Sequence, residues 1–193
     1  MGGLITEGTT LANPYWQYSR DKIACEEFLM KMYREEGFPI TIVRPSHTYD
    51  ERNIPLGVHG KNGFWQVIKR MQEGKPVIIQ GDGTSLWHLT FNRDFAVGFT
   101  GLMGNRHATG DVYGYDFTGS LIGDKSTSVV FDNSKLKKIV PEMTTRIPFN
   151  QGVRIALDYI SKHSELQVED LEFDAWCDRV IDALENAKAC ILK

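Results

Sequence analysis

The sequence predicts an α/β fold, and three observations carry that expectation. A helical pattern over residues 13–36 runs directly into a β-branched stretch, Phe38-Pro39-Ile40-Thr41-Ile42-Val43-Arg44, and a helix feeding a strand within a few residues is typical of α/β domains. A second helix-then-strand pair follows at residues 63–73 and Val77-Ile78-Ile79-Gln80. Between them lies a long loop, residues 46–62, rich in Gly, Pro, Asn and His; in open α/β sheets such strand-end loops are where ligands bind.

Each element has a local cause. Asn13-Pro14 is a helix start, since Asn can cap free amides and Pro at the first helical position loses no hydrogen bond. Tyr18, Ile23, Cys25, Phe28, Leu29, Met32 and Tyr33 then form an apolar stripe opposite Arg20, Asp21, Glu26, Glu27, Lys31 and Arg34, and Gly37 ends the helix. Phe64, Val67, Ile68 and Met71 mark the next helical face. Gly81-Asp82-Gly83-Thr84 is a turn by composition, and residues 92–103 read as a helix capped by Asn92. Residues 111–117 alternate as a strand, residues 120–128 form a loop, and Val129-Val130-Phe131 is a short strand. Asp132-Asn133-Ser134 opens a short helix over residues 135–139, and longer amphipathic helices span residues 148–164 and 169–189. Residues 1–11 read as loop, so the first strong element is a helix with no preceding strand to pack on; sheet contributed from outside this stretch is expected.

A length of 193 residues suits one domain or one with an appendage, and a formal charge of -3 gives no overall positive field for nucleic acid or an anionic membrane. Cys25, Cys177 and Cys190 are odd in number and far apart, without metal spacing, which fits reduced thiols and a cytoplasmic setting. No run of about 18 to 20 apolar residues offers a membrane span, and residues 1–10 lack a signal-peptide pattern.

The chemistry-bearing constellation is Tyr18 and Lys22, four apart and so one turn apart on the same helical face. An ammonium beside a phenol favours the phenolate, the form able to take a proton from a substrate hydroxyl. Nicotinamide-linked hydride transfer needs such a partner, because the cofactor carries hydride and the protein must move the proton. A Tyr-x-x-x-Lys pair alone arises by chance in about a third of chains this long. Here it follows Pro14 by four residues and leads through a Gly-x-Pro turn and strand into Arg44-Pro45. The two segments NPYWQYSRDKIACEEFL and GFPITIVRPSHTYD resemble the extended short-chain dehydrogenases, the NAD-dependent epimerase/dehydratase family that acts mostly on nucleotide sugars. KPVIIQGDG and Asn92-Arg93-Asp94-Phe95-Ala96 extend the resemblance over most of residues 8–103, and residues 132–159 resemble the family tail more loosely.

The resemblance implies a partial Rossmann-like fold: few strands with flanking helices and a reduced substrate domain. Residues 1–55 would be a remnant of the nucleotide-binding domain carrying the Tyr-x-x-x-Lys helix, and residues 56–193 the substrate-domain part and C-terminal helices, interleaved with the last sheet elements. Tyr18 would be the catalytic acid/base, and Lys22 would bind the nicotinamide ribose of NAD or NADP. Pro45, Ser46 and His47 would line the nicotinamide; otherwise Arg44 is an ion-pair residue at a strand end and His47 a loop histidine satisfied by backbone groups.

Three departures qualify this picture. No G-x-x-G-x-x-G or G-x-G-x-x-G run follows a strand, so the pyrophosphate cradle is missing, and Thr9 and Thr10 lie too close to Tyr18 to replace the family's upstream catalytic Ser/Thr. Where an arginine usually grips the substrate diphosphate, the chain reads Leu86-Trp87-His88; Trp87 is then core or a stacking platform, and His88 a weak phosphate ligand or a structural residue. Between residues 116 and 123 a part of the substrate domain is absent. The expectation is therefore a fragment of an NAD(P)-dependent epimerase or dehydratase, inactive alone, acting on a sugar nucleotide or related carbonyl or hydroxyl substrate. The partner would be a second copy or a separately encoded nucleotide-binding half. The alternative is an RNA-binding or other non-catalytic module of the same fold, for which Lys135, Lys137 and Lys138 are the only compact basic cluster and a solvated helix face their ordinary meaning.

Overall fold

The computed structural model describes residues 4–6, 9–81, 83–105 and 130–191. The strand expected at 111–117, the loop at 120–128 and the junction at 116–123 lie outside them. The architecture is α/β, with helices flanking short parallel strand pairs.

Residues 4–5, read as loop, instead form β1 (Leu4–Ile5), because two apolar residues find a distant parallel partner in β4 (Val130–Phe131). Helix α1 (Gln17–Glu36) starts later than Asn13-Pro14 implied. The Asn13 carboxamide accepts the Tyr15 amide at 3.1 Å, and this Asx turn holds the chain outside the helix until Trp16. Gly37, at φ 65°, closes α1 as expected. The strand read at residues 38–44 enters no ladder among the described residues; the ladder begins three residues later, at β2 (His47–Tyr49), which pairs in parallel with β3 (Leu89–Phe91). β-branching marks an extended segment, but only a neighbour makes it a strand. Residues 77–80 are likewise unpaired.

Helix α2 (Trp65–Gln72) stands where expected. β3 runs directly into α3 (Asn92–Leu102), which leaves Asn92 as the first helical residue rather than the cap. Asp132 accepts both the Ser134 amide (2.9 Å) and hydroxyl (2.5 Å) ahead of α4 (Ser134–Ile139). α5 (Phe149–Ser161), a 3-10 turn (Ser164–Leu166) and α6 (Leu171–Ile191) complete the chain.

The chain divides into two compact units. The first comprises Met1–Asp50 and Gly81–Gly152, the second Glu51–Gln80 and Val153–Lys193. In the second, Ile54, Ile68, Ala156 and Ile160 form a buried centre covered by Leu56, Phe64, Trp65 and Leu166. Beside it the Arg70 guanidinium, 1% exposed, reaches Asp174 at 2.6 Å, Asp178 at 2.7 Å and the Pro76 carbonyl at 3.0 Å. In the first unit Tyr49 packs edge-on against Phe91 and Phe149, and Gly152 leaves room for the Tyr49 ring, which a Cβ there would strike. Buried Asp94 accepts the amides of Arg146 (2.9 Å) and Ile147 (2.8 Å), tying α3 to the approach to α5.

Candidate active site

The spacing of Tyr18 and Lys22 becomes contact on α1: the Lys22 ammonium lies 5.3 Å from the centroid of the Tyr18 ring. Trp16, itself buried, also packs on that ring with centroids 5.3 Å apart, while Tyr18 stays 40% exposed. The ring is thus held from within the chain while part of its surface faces solvent. Helix α1 rests on a narrow line, since Ser19 and Glu26 are its buried residues. Ser19 is approached by the Asn13 amide at 3.4 Å. Glu26, one turn beyond Lys22, meets Arg44 in a two-pronged contact, Nη2 to Oε1 at 2.5 Å and Nε to Oε2 at 3.3 Å, with both side chains 8% exposed. Arg44 is therefore an ion-pair residue, as its strand-end position allowed. Glu26 went unsingled in the sequence, although its place four residues after Lys22 was a usable signal. Asp94 was passed over too, and its role as an amide acceptor has no sequence signature.

The segment after Arg44 is braced by residues forty positions away. Ser46 Oγ donates to the His88 carbonyl at 2.6 Å. The His47 ring lies flat on Trp87, centroids 4.7 Å apart and planes 8° apart. His88 Nδ1 accepts the Phe131 amide at 3.3 Å, which requires that nitrogen to be bare. A cleft of about 170 Å³ opens beside these groups, bordered by Arg44, Pro45, Ser46, His88, Thr90 and Asp132 among others. Ser134's hydroxyl and amide hold the Asp132 carboxyl below the usual carboxylate range. The structure thus gathers Ser46, His47, Trp87 and His88 into one cluster, with Pro45 beside it on the cleft, and places Tyr18 with Lys22 on α1 of the same unit. Thr9 is engaged elsewhere, its hydroxyl accepting the Thr6 amide at 2.9 Å. Lys135, Lys137 and Lys138 are exposed on α4.

Tyr18 and Lys22 fit the nicotinamide-ribose end of a dinucleotide: an exposed phenol and an ammonium on one helical face. A pyrophosphate cradle is harder to find. The spacing G-x-x-G-x-x-G does occur, at Gly57, Gly60 and Gly63 and again at Gly98, Gly101 and Gly104, but neither run directly follows a strand. In the first, the Asn62 amide is taken by the Asp170 carboxylate (3.2 Å) and the Gly63 amide by the Gly60 carbonyl (3.1 Å). Gly60 itself abuts that carboxylate, an anion where a phosphate would need donors. In the second, Gly98 and Gly101 face Met143 and Val140 from α3 and serve helix packing. Among the described residues, no three His, Cys, Asp or Glu side chains are grouped to hold a metal, and no helix is long and apolar enough to cross a membrane.

The profile of the NAD dependent epimerase/dehydratase family matches residues 3–114. The chain is 31% identical over 110 residues to the uncharacterized UDP-glucose epimerase YtcB of Bacillus subtilis (strain 168), a stretch covering 56% of this chain and 33% of that protein. It therefore spans about a third of the curated relative it matches. The crystal structure of UDP-glucuronic acid 4-epimerase from Bacillus cereus in complex with NAD superposes with a TM-score of 0.62 at 21% identity, over 84% of this chain and 57% of that one. Pal from Bacillus thuringiensis superposes with a TM-score of 0.52 at 20% identity, over 77% of this chain and 54% of that one. Both structures share the fold.

Proposed function

This chain belongs to the NAD dependent epimerase/dehydratase family, and from that premise we propose that it is the catalytic, nicotinamide-facing part of an NAD(P)-linked epimerase or dehydratase acting on a sugar nucleotide or a related hydroxyl or carbonyl substrate. The observation that carries the reading is the Lys22 ammonium 5.3 Å from the centroid of an exposed Tyr18 ring. A nicotinamide cofactor supplies hydride acceptance and return at the reacting carbon. The chain supplies the proton half. The Tyr18 phenolate oxygen takes the proton of the substrate hydroxyl as the carbonyl forms, and gives it back when the carbonyl is reduced. Lys22, whose ammonium lies beside the Tyr18 ring, would hold the ribose. Pro45, Ser46 and His47 border the nicotinamide.

The same reading makes the chain inactive alone, because neither described glycine run directly follows a strand, and the first of them lies against the Asp170 carboxylate. The nucleotide-binding half is supplied by polypeptide outside these residues; the exposed aromatic residues Tyr15, Phe28, Tyr33 and Phe38, on and beside α1, support a covered role for that surface. Calorimetry with NAD and NADP is expected to give no binding in the low micromolar range, and a tight isotherm would overturn the claim of inactivity. Supplied with such a half, the pair should turn over UDP-glucose or UDP-glucuronic acid in the presence of NAD. Tyr18→Phe should then lower kcat by roughly 10²-fold or more; an unchanged kcat would remove Tyr18 from the chemistry.

A further inference from the structure

Trp87 and His88 immediately precede β3, Ser46 precedes β2 and His47 is its first residue, and the parallel register that pairs His47 with Leu89 brings these residues side by side. Contacts of three kinds converge there. The Trp87 indole covers one face of the His47 imidazole at 4.7 Å and 8°. The His88 carbonyl accepts the Ser46 hydroxyl at 2.6 Å. The His88 ring accepts the Phe131 amide through Nδ1 and meets the Phe131 ring edge-on at 5.9 Å, fastening the dipeptide to β4. Trp87 and His88 are both half-buried and engage His47, Ser46 and Phe131 of the same unit. A flat stack restricts the rotation of the imidazole about its second side-chain torsion, which is otherwise broad, and the serine bond fixes the backbone immediately before it.

We infer that Trp87 is a positioning residue: it sets the plane of His47, with His88 anchoring the pair to β4, so that the segment 45–47 is presented in one orientation to its ligand. That the ligand is a nicotinamide rests on the function proposed above; the hold of Trp87 on His47 does not. Neither Trp87 nor His88 is assigned a contact with substrate.

The test uses the full chain with carbon-labelled histidine, reading the ring C–H resonances of its five histidines, with His47→Gln to assign His47. A stacked indole shields its neighbour, so both His47 resonances should lie upfield of those of an exposed histidine. Trp87→Ala should return them to the exposed position, and Trp87→Phe should keep most of the displacement. Trp87→Leu fills the volume without a ring and replaces the alanine variant if circular dichroism shows that one unfolded. In a second arm, millimolar nicotinamide mononucleotide should move the His47 resonances of the wild type. That movement should be at least halved in Trp87→Ala and restored in Trp87→Phe. His47 resonances unmoved by Trp87→Ala, or an equal response to the mononucleotide in both proteins, would overturn the inference. Wild-type resonances that are shifted upfield but ignore the mononucleotide would instead overturn the nicotinamide reading and leave the stack standing.

Discussion

The centre of the second unit and helix α1 of the first use the same residue types to opposite ends. In the former, Ile54, Ile68, Ala156 and Ile160 are enclosed, and the buried Arg70 beside them is matched by carboxylates and a carbonyl. Over the twenty residues of α1 only Ser19 and Glu26 are buried, while Phe28 is 61% exposed. An amphipathic pattern thus reports which face of a helix is apolar and leaves open whether anything lies against it. The enclosed region spends its polar groups on itself, whereas on the open helix Tyr18 stays 40% exposed.

Breaking the enclosed region should cost most. Arg70→Met strands Asp174, which burial alone would push up and which Arg70, Gln66 and Lys75 instead hold below the ordinary carboxylate range. Loss of one partner of a buried pair costs roughly 3–5 kcal/mol, and the partly exposed Asp178 places this case at the lower end. Urea unfolding followed by circular dichroism reads it, and a change under 1 kcal/mol would show the cluster to be dispensable. Ile160→Ala, in the apolar centre, should cost about 2–4 kcal/mol in the same assay.

Gly152→Ala probes the first unit. The added Cβ meets the Tyr49 hydroxyl, an overpacking cost of about 1–3 kcal/mol. That hydroxyl is buried without a hydrogen-bond partner among the described residues, and burial, with Asp94 nearby, pushes its pKa up. Tyr49→Phe should therefore be neutral or stabilising, and the double variant should lose less than the sum of the two; strict additivity would exclude the clash.

Acid sensitivity separates the regions further. The Phe173 amide, then that of Asn62, hold the Asp170 carboxyl below its ordinary value. The stability this lends is complete above the usual carboxylate range and is lost as pH falls through and below about 4. Asp170→Asn should flatten the unfolding midpoint against pH in that window; an unchanged slope would assign the acid response elsewhere. Phe28→Ser on α1 should do least, within about 0.5 kcal/mol of wild type. A loss above 1 kcal/mol would mean that α1 is covered in solution.

Much of the fold was legible because its causes are local. Gly37 ends α1 where a left-handed residue is required, and the Tyr18/Lys22 contact follows from a spacing of four. Residues 38–44 and 77–80 were misread because extended propensity is a property of one segment and a ladder is a property of two. β1 was missed for the converse reason: two residues, Leu4 and Ile5, carry no periodicity, and their partner lies far along the chain. The His47–Trp87 stack was equally invisible, since forty residues and a parallel register separate its members. Trp87 reads from the sequence as core or as a stacking platform, and the ring it meets in the structure is that of His47.

The two-pronged Glu26–Arg44 contact constrains more than a distance. Two planar groups joined at two points act like a key in a slot, so α1 is denied rotation about its own long axis as well as translation. Lys22 and Tyr18 stand one and two turns before Glu26. A roll of about 10° at ~6 Å from the axis would swing their side chains by about 1 Å, a misplacement that can cost roughly 10²-fold in rate. On the function proposed above, the buried Glu26 carboxylate would thereby act as an angular stop for Tyr18 and Lys22.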